Sequence, residues 1–140
     1  MARKTLHSEI SDEYDFLLIG IVCQHKDYRL CHFLNRQLSI RLTRDTDYEI
    51  TKPRNKQKLS FAFYTYARPE QACYYLFANK TEGGILISDH KNMDYFLMIK
   101  EYQNRLDEEW LIASIKNSPL VLGAYSVQPG LLRSKENLVF

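Results

Sequence analysis

The chain has 140 residues, 45% of them hydrophobic and 26% charged, which is the size and make-up of one folded domain. Only 5 Gly and 4 Pro exclude a linker-like or collagen-like chain, and 10 Tyr with 7 Phe exclude disorder as the main state. A net charge of +2 is too balanced for a dedicated nucleic-acid or membrane-surface binder.

The first residues, about 1–12, are polar and read as a loose N-terminus. No apolar stretch follows Arg3-Lys4, so no secretory signal is expected. The continuous apolar run Phe16 to Cys23 has strand length and two apolar faces, which predicts a central strand covered on both sides. Gly20 within it predicts a bulge or a close backbone approach. A membrane-spanning helix needs about 20 apolar residues, so no membrane is expected as partner.

Leu30, Phe33, Leu34 and Leu38 recur at helical spacing and predict a helix over 27–38, with Asp27 as its N-cap. Residues 40–50 read as one weak strand or two short pieces. The stretch Lys52 to Lys58 is a turn or loop, because Pro53 stops a ladder. The aromatic-rich stretches Leu59–Tyr66 and Cys73–Ala78 read as strands joined by a short loop. Thr81-Glu82-Gly83-Gly84 reads as a turn needing positive φ. Short strands are expected at 85–87 and 95–99.

Leu106-Asp107-Glu108-Glu109-Trp110-Leu111 opens a second helix. Asp107 is its N-cap, Leu106 and Leu111 form a hydrophobic staple, and the helix ends near Asn117. Residues 120–125 form the last strand, and 128–140 a C-terminal tail. The fold class expected is α+β: one domain over 1–140, a single mostly antiparallel twisted sheet packed by two helices, in the order β-α-β-β-β-β-β-α-β.

Candidate chemistry is sparse. Cys23, His25, Cys31 and His32 are spaced unlike any structural zinc motif, so no metal is expected. Three cysteines without a signal fit reduced, buried thiols in a cytoplasm. Ser88-Asp89-His90 holds triad residue types, but contiguous side chains do not build a triad. Phosphate-binding glycine patterns are missing, and no catalytic residue or cofactor is expected. Asp89 and Asp94 are the carboxylates without an immediate structural reason, and with Tyr95 they mark a candidate small-molecule or catalytic site.

The basic and aromatic pattern is the most suggestive. Lys52, Arg54, Lys56 and Lys58 run into Phe61, Phe63 and Tyr66. Aligned with an RNA-recognition strand, Phe61, Ala62, Phe63 and Tyr66 match, while Leu59, Ser60 and Tyr64 do not. Nucleic-acid binding through these residues requires their rings to be exposed on one sheet face. Filling a core is the competing role.

Ile87-Ser88-Asp89-His90-Lys91-Asn92-Met93-Asp94-Tyr95 resembles the signature of the bacterial IPExxxVDY family. Ile87, Asp94 and Tyr95 match. Asp89 stands for the family's Glu, Met93 for Val and Ser88 for Pro. Lys26-Asp27-Tyr28-Arg29-Leu30 is similar to the family's early segment, and Ser134 to Phe140 to its ending. The resemblance implies a small, single-domain, cytoplasmic bacterial protein, and it carries no activity. It marks Asp27, Tyr28, Arg29, Ile87, Asp94 and Tyr95 as positions of interest. Arg29 is expected to pair with Asp94.

Leu131, Leu132, Leu138 and Phe140 give the tail an apolar character, which suits docking on the body or on a partner. The leading expectation is a non-catalytic protein-interaction domain, with a protein partner or a homodimer. Nucleic-acid binding and the Asp89–Asp94–Tyr95 site are the alternatives.

Overall fold

The computed structural model describes residues 15–101, 106–138 and 140. The proposed loose stretch at 1–12 lies outside them. The strands are β1 (Leu17–Cys23), β2 (Thr43–Arg44), β3 (Tyr48–Thr51), β4 (Lys58–Phe61), β5 (Phe63–Arg68), β6 (Ala72–Ala78), β7 (Lys80–Thr81), β8 (Gly84–Ile85), β9 (Tyr95–Glu101) and β10 (Val121–Val127). Helix α1 (Asp27–Leu38) follows β1, and α2 (Glu108–Lys116) precedes β10. Six strands form an antiparallel sheet in the order β10-β1-β9-β6-β5-β2. Two hairpins, β3-β4 and β7-β8, stand apart from it. The class is α+β, as the sequence predicts.

The apolar run 16–23 becomes β1, an interior strand between β10 and β9. Its residues alternate: Ile19 and Ile21 enter one core cluster and Leu18 the other. Gly20 is there for close approach, since a Cβ at this position would lie 2.8 Å from the Met93 sulfur. The structure's bulge is elsewhere: the register shifts between Val22 and Cys23, and Leu122 of β10 is the extra residue.

The strand expected over 59–66 is two strands. It breaks at Ala62, whose carbonyl accepts from the Ala78 amide. The break lets β4 leave the main sheet and pair with β3, carrying Leu59 and Phe61 onto one sheet face. At the next turn Gly83 takes φ +93°, as its position demands.

Helix α1 spans the expected residues, with a correction at its start. Lys26 occupies the N-cap position with no side-chain capping bond, and Asp27 is already helical. Asp27 accepts instead from the Tyr64 hydroxyl at 2.8 Å. A tertiary partner has taken the carboxylate that a local reading assigns to the cap. Helix α2 follows the sequence closely: Asp107 accepts from the Glu109 and Trp110 amides. Leu106 and Leu111 pack in the same cluster.

Both helices lie on one face of the sheet. Leu30 and Leu34 of α1 and Leu111 and Ile115 of α2 are fully or almost fully buried there with Ile19, Ile21 and Leu97. The opposite face buries Leu18, Phe77, Phe96 and Met98 beneath β4, the 86–93 segment and the tail. The tail therefore docks on its own chain. Leu132 and Leu138 are buried, and the Phe140 ring meets the rings of Tyr48, Phe63, Tyr75 and Phe77 edge-on.

Candidate functional site

Three of the resemblance positions, Asp27, Asp94 and Tyr95, converge at the turn between β1 and α1. Asp94 precedes β9, next to the C-terminal end of β1. Its Oδ2 accepts from the Cys23 amide at 2.9 Å, and its Oδ1 lies 3.0 Å from the Lys80 ammonium. The Tyr95 hydroxyl donates to the His25 carbonyl at 2.7 Å. Asp27, at the start of α1, holds the Tyr64 hydroxyl from β5. Burial raises the pKa of both Tyr64 and Tyr95, and the Asp27 charge adds to it. These groups clamp the turn by donating and accepting hydrogen bonds, and phenols so raised stay protonated donors at neutral pH.

The expected Arg29–Asp94 pair does not form. Asp94 pairs with Lys80, and an Arg29 nitrogen lies 3.3 Å from His25 Nδ1. Arg29 sits on the exposed side of the first helical turn and Tyr28 beside it, 62% exposed. Sequence spacing placed Arg29 near a carboxylate, but the helix turns it outward.

Ile87 is fully buried and bound to a residue that sequence reasoning missed. Asn79, also fully buried, accepts from the Ile87 amide at 2.7 Å. Its Nδ2 donates to the carbonyls of Met93 at 2.9 Å, His90 at 3.0 Å and Ile87 at 3.5 Å. One side chain thereby organises the irregular segment 87–93. In the sequence Asn79 shows only as the first residue of the sequon-like Asn79-Lys80-Thr81. The one signal was a polar residue directly after the apolar strand β6.

Asp89 reaches the tail. Its oxygens accept from the Arg133 and Ser134 amides at 2.7 and 3.1 Å. Partial burial alone would raise its pKa, but these hydrogen bonds outweigh it and hold the carboxyl below its ordinary value. Asp89, Asp94 and Tyr95 are thus all engaged in structural bonds, Asp94 and Tyr95 at the turn before α1 and Asp89 apart from them at the tail. They line neither a groove of about 410 Å³ bordered by Arg68, Glu70, Tyr74 and Glu101 nor one bordered by Tyr28, Arg29, His32 and Arg36.

The basic and aromatic stretch is divided by the fold. Arg54, Lys56 and Lys58 are exposed around the β3–β4 hairpin, and Lys52 donates to the Gly83 carbonyl. Phe61 is buried under the sheet, and Phe63 packs against Tyr48 and Phe140. Tyr66 lies on the opposite, helix-bearing face against Tyr74. These three rings form no common exposed platform.

Cys23 and Cys31 are buried. Burial pushes the Cys31 thiol up to about 11, with the Asp27 charge adding, and burial raises Cys23 as well. Both are poor thiolates at neutral pH. Among the described residues, no group of three or more His, Cys, Asp or Glu could hold a metal ion. No helix among them is long and apolar enough to cross a membrane.

The larger of these two grooves, about 690 Å³, runs along the outer side of α1. Tyr28, Arg29, His32, Phe33 and Arg36 border it, at i, i+4 and i+8 spacing, and Leu120 closes the far side. No acidic side chain lines it. Cationic heads lie beside exposed aromatic surface, an arrangement suited to an anionic, partly apolar ligand. No protein-family model matches this chain, and a search of curated proteins finds no match.

Proposed function

We propose that the protein is a non-catalytic interaction domain whose α1 groove receives an acidic segment of another protein, in a bacterial cytoplasm. The supporting observation is the groove's lining: Arg29 and Arg36 flank Tyr28, His32 and Phe33, with no carboxylate among them. Arginine forks recognise carboxylates, and an exposed tyrosine supplies contact area at low entropic cost. The cytoplasmic setting rests on the reduced cysteines and the IPExxxVDY resemblance, which stands on its motif residues and brings no activity with it. Nucleic-acid binding gains no support here, because Phe61, Phe63 and Tyr66 do not share an open surface.

The test is a fluorescence titration with labelled Asp/Glu-rich peptides containing aromatic residues, against amide (Asn/Gln) versions of the same peptides. Binding should favour the acidic peptides and weaken with salt. The double variant Arg29→Glu/Arg36→Glu should lose affinity by about tenfold or more while keeping its melting temperature, since both side chains are exposed. Equal binding of acidic and amide peptides, or no response to the charge reversal, overturns the reading.

A further inference from the structure

The two edges of the main sheet are built differently. Edge strand β2 has only two residues, and Arg44 within it is bound to Asp47. Short length and charge are the devices that stop a sheet from pairing with another. Strand β10, at the other edge, has seven residues, Val-Leu-Gly-Ala-Tyr-Ser-Val, none charged. Among the described residues nothing pairs with its outer side. Leu122 and Tyr125 are 67% and 47% exposed there. The bulge at Leu122 leaves Gly123 to Val127 as the regular segment.

Helix α2 runs beside this strand, and two contacts fix which of its sides faces the edge. Glu108 accepts from the Ser126 hydroxyl at 2.8 Å, and the Lys116 ammonium lies 5.8 Å from the centre of the Tyr125 ring. Glu108, Ile112 and Lys116 are four residues apart, so they form one stripe about 12 Å long. That stripe is acidic at one end, apolar in the middle and basic at the other.

Such a stripe is complementary to itself when reversed. We infer that β10 and α2 form a self-association surface, on which a second copy of this chain pairs antiparallel, β10 to β10, about a two-fold axis perpendicular to the sheet. That operation keeps the helix-bearing faces on the same side and sets the two α2 helices side by side and antiparallel. Glu108 of each copy then faces Lys116 of the other, with Ile112 near the axis. Antiparallel self-pairing satisfies edge amides and carbonyls on both copies at once, as an isologous contact must. The surface is separate from the α1 groove, and the inference does not rest on the function proposed for that groove.

Analytical ultracentrifugation over a concentration series tests it with three variants. Wild-type mass should double with concentration. Lys116→Glu and Glu108→Lys, taken singly, should each raise the dissociation constant by about tenfold, because the two-fold axis repeats every like-charge contact. The double variant Glu108→Lys/Lys116→Glu should recover dimerisation, though it keeps any harm done to the monomer by either change. A wild-type monomer up to about 1 mM overturns the inference, since weaker association has no standing as a specific contact. So does a dimer indifferent to the single reversals, or a double variant no better than the singles. Amide exchange gives a second reading: Val121 to Val127 should be more protected at high concentration, and concentration-independent exchange there also overturns it.

Discussion

Helices α1 and α2 close one face of the sheet, and each arrives with its own backbone hydrogen bonds already made. The other face is closed by the strand β4 together with the 86–93 segment and the tail, and those last two have little regular structure. Covering a core with irregular backbone leaves amides and carbonyls that must find partners elsewhere. Side chains supply them: Asn79 serves residues 87–93, Asp89 holds Arg133 and Ser134, and Asn137 donates to the Leu86 carbonyl at 2.8 Å. A helix-covered face depends on apolar spacing. A loop-covered face depends on a few polar side chains in fixed places. Ile87 and Asp89 are fasteners of this loop-covered face, whereas Asp94 and Tyr95 clamp the turn before α1.

The largest break in that comparison should come from Asn79→Ala. It leaves the Ile87 amide and the Met93 carbonyl without their partner in a buried place, while the Ile87 and His90 carbonyls keep the His90 and Met93 amides. A loss of about 3 kcal/mol is expected, or roughly 10 °C in melting temperature. Calorimetry checks it, and a loss under about 1 kcal/mol would mean the segment finds other partners.

A smaller effect is expected on the helix face. Asp107→Ala removes a cap on two amides of α2 and should cost about 1 kcal/mol in urea unfolding. If it cost as much as Asn79→Ala, the contrast between the faces would fail.

The smallest effect is a pH dependence at the tail. Asp89 has its pKa lowered in the fold, so its contribution is complete above the unfolded value of 3.8. That contribution is lost as the pH falls from there through the depressed folded value. Amide exchange at Arg133 and Ser134, corrected for intrinsic rates, should show protection falling over that window. Asp89→Asn should flatten the dependence, and an unchanged profile would separate Asp89 from tail docking.

Much of the fold was legible in the chain order. The continuous apolar run of β1, the 3.6-residue spacing of α1 and the Asp107 cap are local patterns, and each formed where the pattern placed it. The candidate site was legible only in part. Asp27, Asp94 and Tyr95 do meet at one turn, but Arg29 points away, and nothing in the sequence marks Tyr64 as the partner of Asp27 or Asn79 as the partner of the 87–93 segment. Hydrogen-bond partners separated by 37 or 70 residues depend on which strands become neighbours.

Periodicity and capping chemistry act within a few residues, so the sequence by itself determined the class of fold, both helices and the central strand. The tertiary structure alone decided the rest. It split the 59–66 stretch, buried Phe61 and half-buried Phe63 on one face while turning Tyr66 to the other, docked the tail and left β10 as an uncharged edge. Each of these outcomes turns on which surfaces compete for one sheet, and that competition is settled only when all the elements pack together.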